Sequence, residues 1–500
     1  MKRDSSALAD DVFDLLILGG GITGAGVALD AALRGLRVAL IDKGDFASGT
    51  SSASSKLVHG GLRYLEHAAF PLVYEALHER ALLLRNAAHL VRPLRFVLPF
   101  YRGARLPPWQ WRAALTLYDL LAGRVNIRRS RPLSPRHLLR EFPDLNSVGL
   151  LGGAEFYDAQ MDDARLCLEV LQSATGCGVQ AANYVEAVAF EAHGGTIAGV
   201  HAVDHVDGSE LLIRARQVLN ATGPWVDSVC TLAGEPPTPH LQPTKGVHIL
   251  APGRGLRAAF LLLHPRDGRV LFVIPWLGKT LIGTTDTVSP EGPDALKVHP
   301  EEIDYLLEAH NHYFTASLRA DELLGHFAGL RPLIAARTGE PSARSREFRV
   351  FQGQSGLLAV AGGKFTTYRQ MAEVITDVVM RRLGRRRRSR TDTFLLDGAP
   401  QGPYPEFALG MVAELQQRHA LDETAATHLV SRYGRRAADV AHYLTHAPQL
   451  ARPVVAGEPD LLAEFAYHRD QEMALRPEDY LLRRTRLGLF HPELLRRATL

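Results

Sequence analysis

Cysteine is scarce in this chain. Cys167, Cys177 and Cys230 are the only three in 500 residues. They form no CxxC pair, so they supply neither a disulfide framework nor a structural zinc site, and a reducing, cytoplasmic compartment is expected. No run of 18 or more apolar residues occurs, so no membrane-spanning helix is expected. The first eleven residues are polar and lack an apolar h-region, so a secretory signal is not expected either. Lysine is scarce too, with 7 against 50 arginines, although the net charge is only +3. A single arginine is therefore weak evidence for a site, and a lysine is stronger. Lys56, Lys245 and Lys364 all lie in glycine- or serine-rich stretches.

The composition is otherwise that of a globular chain, with 46% apolar and 22% charged residues. At about 100–200 residues per domain, two to four domains are expected. Near the N-terminus Asp14-Leu-Leu-Ile-Leu18 reads as a buried parallel strand. It runs into Gly19-Gly-Gly-Ile-Thr-Gly24, then a helical pattern of small apolar residues, then Gly35 and a second strand ending at Asp42. Such a unit binds a dinucleotide for a physical reason. Gly19 allows the tight turn, Gly21 admits a pyrophosphate to the backbone, and Gly24 lets helix and strand pack. Asp42, 18 positions after Gly24, can accept hydrogen bonds from a ribose diol.

This fingerprint fits FAD or NAD. Two features favour FAD. A Ser/Thr-rich loop from Ser48 to Ser55 follows in place of regular βα repeats, and two distant strands end in glycine turns, at Gly223 and at Gly362-Gly363. Helices are expected over 71–90, from Asp162 or Asp163 onward, and from Thr366 to Met380. Strands are expected across 180–220 and at Val247–Leu250, Val270–Ile274 and Thr280–Gly283. Beyond residue 396 helix formers dominate.

Longer motifs carry a resemblance. They include Thr50-Ser-Ser-Ala-Ser-Ser-Lys-Leu-Val-His-Gly-Gly-Leu-Arg-Tyr-Leu-Glu66, Asp162-Asp-Ala-Arg-Leu166, Asn220-Ala-Thr-Gly-Pro-Trp225 and Lys245-Gly-Val-His248. Further on come Ile282-Gly-Thr-Thr-Asp286, Gly329-Leu-Arg-Pro332 and Gly362-Gly-Lys-Phe-Thr-Thr-Tyr-Arg369. In these the chain resembles the FAD-dependent, quinone-linked (aerobic) glycerol-3-phosphate dehydrogenases over nearly its whole length.

The resemblance implies an α/β (α+β overall) fold. Its parts are a Rossmann-like FAD domain of the glutathione-reductase/D-amino-acid-oxidase type, a mixed-sheet substrate domain and a C-terminal helical domain. The expected division is 1–90, 160–235 and 335–385 for the FAD domain, 91–159 and 236–334 for the substrate domain, and 396–500 for the helical domain. It also implies oxidation of sn-glycerol 3-phosphate to dihydroxyacetone phosphate, with hydride passing to FAD and electrons to ubiquinone.

A phosphate dianion needs cations with directed donors, and the departing hydroxyl proton needs a base. By resemblance Arg63, Tyr64, Arg331 and Lys364 bind substrate, with Arg331 also stabilising the alkoxide. His248 is the better base candidate and His59 the second, which can instead orient the flavin or its loop. Gly19, Gly21, Gly24, Asp42, Thr50, Ser51, Ser52, Gly223, Gly362, Gly363, Lys364 and Thr366 are assigned to the cofactor, and no metal is expected. Val247 stands where the family commonly has Ser, which removes one hydrogen-bond partner for His248.

A quinone acceptor calls for peripheral attachment at the inner face of the cytoplasmic membrane. The stretch Pro107 to Leu121, with Trp109, Trp111, Leu115, Tyr118 and Leu121 near Arg112, suits a headgroup region, as it equally suits a helix packed on its own domain. The seven arginines of 381–390 read best as a solvated linker, and nucleic acid is not an expected partner. A homodimer is allowed. Two readings compete with the leading one, a glycerol-3-phosphate oxidase using O2 and an inactive nucleotide-binding regulator.

Overall fold

Alternation in two short strands explains the centre of the molecule. Leu15 and Ile17 pack into one buried cluster and Leu16 and Leu18 into another, and Val38, Leu40, Ala39 and Ile41 divide the same way. Successive side chains of a strand point to opposite faces, so a sheet buried on both sides needs continuous apolar runs. Each such leucine contributes about 1.5–3 kcal/mol by leaving water. The computed structural model describes residues 1–236, 241–289, 291–334 and 348–498.

Among these, a six-stranded sheet runs in the order Arg349–Gln352, Leu358–Ala361, Val218–Asn220, Leu15–Leu18, Val38–Ile41, Gln180–Ala182. Its pairs are parallel except the first. One face carries the helices Ile22–Leu33, Asp163–Gly176 and Tyr368–Arg382. Close packing there depends on a small residue: a Cβ at Gly26 would come within 2.8 Å of the Tyr368 ring. A four-stranded sheet, which includes Val185–His193 and Thr196–Asp204, adjoins the other face. Residues 335–347, which open the third stretch of the expected FAD domain, lie outside the described residues.

A ten-stranded sheet forms the second layer. Its long strands Val91–Tyr101 and Leu150–Met161 pair antiparallel along their length. Thr244–Ala251 lies between Lys279–Gly283 and Gly325–Arg331. The helix Pro108–Ala122 packs on this sheet through Trp111, Leu115 and Tyr118. Those three are buried and unavailable to lipid, whereas Trp109 (66% exposed) and Leu120 (71% exposed) remain outside.

The C-terminal region is helical, as expected. Its core is built by Tyr404–His419, Glu423–Tyr433, Ala437–His446 and Leu462–Gln471. It docks on helix Asp163–Gly176 through a seam of buried ion pairs. Arg165 is bidentate to Glu472, at 2.6 and 2.9 Å, and Arg484 Nη2 donates to Asp45 Oδ1 at 2.9 Å. Arg486 Nη2 donates to Asp163 Oδ1 at 2.8 Å, and Arg436 pairs with Glu169. The arginine run 381–390 is more than a solvated linker: Arg385 donates to Asp14 at 2.9 and 3.1 Å, and Ser389 donates to Asp30.

Candidate active site

The first wall of the site is the glycine turn. Gly19 adopts φ +109, a conformation that favours glycine, and a Cβ there would sit 2.7 Å from the Ala221 carbonyl oxygen. Gly21 caps the helix Ile22–Leu33 without a side chain, so the backbone there can come close to an anion at the helix N-terminus. Asp42 Oδ2 accepts from Gly20 N at 2.7 Å, and Oδ1 accepts from Gly44 N at 2.9 Å. Burial outweighs these bonds and pushes the Asp42 carboxyl up to about 6.

The Ser/Thr-rich loop closes over this turn. Thr50 Oγ1 donates to Leu330 O at 2.6 Å, and Ser51 Oγ accepts from Ile22 N at 2.9 Å. Lys56, deeply buried, donates to both Asp163 oxygens at 2.7 and 2.8 Å and to Ser52 O at 2.6 Å. Farther on, Gly61 (φ +78) turns the chain into Arg63 and Tyr64. A Cβ at Gly61 would strike the Tyr64 ring at 2.2 Å. Gly60 N donates to the Tyr118 hydroxyl, which donates to the buried Asp158. The helix suggested for lipid contact thus braces the loop that carries Arg63.

The large sheet supplies the second wall. His248 is 2% exposed, stacks on Phe327 at 4.9 Å, and meets Ser55 Oγ through Nε2 at 2.9 Å. Its Nδ1 is buried without a hydrogen-bond partner among the described residues. Burial first, then the charges of Lys56 and Arg331, hold the imidazole well below its usual pKa, so it is neutral at physiological pH. Arg331 ends its strand, with Nη1 donating to Asp286 Oδ1 and Nη2 to Thr284 Oγ1, both at 3.0 Å.

The third wall is the Gly362-Gly363 turn, with φ +79 and +91. Lys364 Nζ lies 3.5 Å from the Tyr64 ring centroid, and Thr366 Oγ1 accepts from His59 N at 3.3 Å.

These walls enclose one cavity of about 1060 Å³. All the residues expected at the site line it save two. Gly24 does not reach the cavity; it only packs, since a Cβ there would lie 2.0 Å from Gly19 O. Ser52 does not line it either, and its hydroxyl donates to Gly49 O at 3.3 Å. The cradle fits a dinucleotide. A Cβ at Gly21 would meet only Ser51 Oγ, at 3.2 Å, and one at Gly223 would have nothing within 4 Å. Ser55, Thr284, Asp286, Arg269 and Phe272 also line the cavity. Ser55 and Asp286 lie inside motifs visible in the sequence, whereas nothing marks Arg269 among 50 arginines.

Residues 14–369 match the family of FAD dependent oxidoreductases, and residues 389–499 match the C-terminal domain of alpha-glycerophosphate oxidase. The fold and site are thus those of an FAD-dependent oxidoreductase, and the cofactor is FAD. The chain is 37% identical over 497 residues to the aerobic glycerol-3-phosphate dehydrogenase of Staphylococcus saprophyticus, covering 97% of this chain and 88% of that one. It is 38% identical over 510 residues to the glycerol-3-phosphate dehydrogenase of Synechocystis, covering 97% and 91%. The crystal structure of the Bacillus halodurans glycerol-3-phosphate dehydrogenase complexed with FAD superposes with a TM-score of 0.81 at 31% identity, over 98% of this chain and 89% of that chain. This chain belongs to the FAD-dependent glycerol-3-phosphate dehydrogenase family.

Proposed function

We propose that this protein oxidises sn-glycerol 3-phosphate to dihydroxyacetone phosphate and passes the electrons to a membrane quinone. The observation that carries this reading is the meeting of Arg63, Tyr64, Arg331, Lys364 and two histidines on the same cavity as the dinucleotide-binding glycine turns. Bound FAD supplies the hydride acceptor. The turns at Gly19–Gly21, Gly223 and Gly362–Gly363, with Thr50, Ser51, Thr366 and Asp42, would hold it.

Arg63, Tyr64 and Lys364 take the substrate phosphate, since guanidinium and ammonium groups pair with a dianion more strongly than neutral donors do. Arg331, oriented by Asp286 and Thr284, faces the developing alkoxide. Neutral His248 accepts the 2-hydroxyl proton, because an unprotonated imidazole is ready to do so. His59, bonded through its backbone to Thr366, orients the loop beside the flavin. Exposed Trp109 and Leu120 on the helix Pro108–Ala122 support peripheral membrane attachment.

Bleaching of the flavin by sn-glycerol 3-phosphate, with glycerol and lactate as controls, tests the substrate. No bleaching would end this reading. The match to an oxidase C-terminal domain favours a second reading with O2 as acceptor. Stopped-flow reoxidation by a soluble quinone against air separates the two. Sedimentation with anionic liposomes at low salt, reversed at high salt, tests the membrane claim.

A further inference from the structure

Only one ring nitrogen of His248 is placed to take a proton. Its ring is almost wholly buried, and Nδ1 has neither a partner among the described residues nor contact with solvent. Nε2 is already engaged by Ser55 Oγ at 2.9 Å. Both residues line the cavity, and Ser55 is the more open of the two. With Nε2 engaged by the serine and Nδ1 closed off from solvent, Ser55 offers a bonded path from a substrate hydroxyl to the imidazole.

Both partners are held in place. Ser54 donates to Asp163 Oδ2 from its backbone N–H and its hydroxyl, at 3.0 and 2.7 Å. Lys56, on the other side of Ser55, is tied to the same carboxylate and sits at φ +59. Ser55 is therefore flanked by two residues anchored on one helix N-terminus. The imidazole is confined by Phe327, stacked at 15°, and by Gly283, where even a Cβ would lie 2.2 Å from the ring. Such confinement places a proton path before substrate arrives.

We propose that Ser55 is a catalytic residue that relays the substrate's 2-hydroxyl proton to His248. The inference rests on the glycerol-3-phosphate reading above. The substrate O–H bond breaks as a new Ser55 Oγ–H bond forms. The proton that Ser55 already carried moves to His248 Nε2, so the serine ends neutral and the histidine ends as imidazolium. The C2–H electron pair leaves as hydride to the bound FAD, and C2–O becomes a carbonyl. Two protons move together, and the serine is regenerated within the step.

Anaerobic flavin reduction by sn-glycerol 3-phosphate, in H2O, D2O and their mixtures, tests this on the holoenzyme and on Ser55→Ala, Ser55→Thr and His248→Asn. Ser55→Ala and His248→Asn should each slow reduction by about 10²- to 10³-fold, in the range of general acid–base effects. The double variant should be no slower than either single variant, because the two residues act as one unit. Ser55→Thr, which keeps the hydroxyl, should recover to within about tenfold. Substrate affinity, flavin absorbance and unfolding temperature should match the parent in Ser55→Ala. The parent's rate should curve downward with deuterium fraction, as two protons in flight require. A linear dependence, or a Ser55→Ala rate within about threefold of the parent, overturns the relay alone. A parent flavin that glycerol 3-phosphate does not bleach overturns the reading beneath it, and the relay with it.

Discussion

Arginine serves two purposes in this molecule, and the seam and the cavity separate them. In the seam, Arg165, Arg484 and Arg486 are almost wholly buried and matched to Glu472, Asp45 and Asp163. In the cavity, Arg63 is exposed, and Arg331 shares a partly open wall with Asp286. The carboxylates show the same contrast. Burial would raise Glu472, but Arg165, His468 and Arg484 beside it bring it down to about 2. Burial would likewise raise Asp45, but Arg484 and Arg483 hold it below the usual range. Around the cavity, burial wins: Asp42 rises to about 6, and Asp158 rises despite Arg80. Charge that is closed on itself holds the fold, whereas charge left at an opening is available to a ligand.

The contrast breaks most sharply at Arg484. Arg484→Met should destabilise the protein by about 1.5–3 kcal/mol, the loss of charged hydrogen bonds, because it leaves buried Asp45 with only Arg483 and Asn183, and urea unfolding would register it. A wild-type midpoint in this variant would mean that the seam is ornamental. Acid is the next lever. A carboxylate held below its unfolded pKa stabilises the fold above that pKa and loses the contribution as pH falls through the folded one. For Glu472 the loss should run from about pH 4.5 down to about pH 2, and Glu472→Gln should flatten that part of the stability curve.

At the cavity the effect should move from stability to binding. Arg63→Ala should leave unfolding within about 0.5 kcal/mol of the parent. Its KM for glycerol 3-phosphate should rise by about 10- to 10²-fold, the loss of a charged hydrogen bond. Smallest of all, Ser52→Ala should change neither FAD affinity nor stability by more than about 0.5 kcal/mol, since its hydroxyl reaches only Gly49 O.

Local chemistry was legible in the sequence. The strand–turn–helix at 14–42 could be read because glycine spacing and continuous apolar runs admit few structures. The helix at Asp163 was marked by its acidic cap, and Asp162 does accept from Arg165 N at 3.3 Å. Ser51 and Ser52 were read alike, because nothing in two adjacent serines tells which faces the cavity on a single helical turn. Trp111, Leu115, Tyr118 and Ala122 recur at helical spacing, and all four are buried, as the reading of a helix packed on its own domain expects. Lys56 and Lys245 carried no readable role, because their partners Asp163 and Glu302 are distant in sequence. The seam was illegible for the same reason. Pairing written across hundreds of residues leaves no local pattern.

That distance also sets an order of events as the chain is made. Asp45 follows the second strand of the nucleotide fold, and its partner Arg484 is added 439 positions later. Until then the carboxylate in the loop between Asp42 and the serines has Asn183 for a partner but neither Arg483 nor Arg484. The earliest-made part of the flavin site is thus among the last to be locked, and the nascent chain must stay soluble with that loop loose. Chains stalled on the ribosome before residue 472 should retain little FAD, and those stalled well past Arg486 should retain it fully.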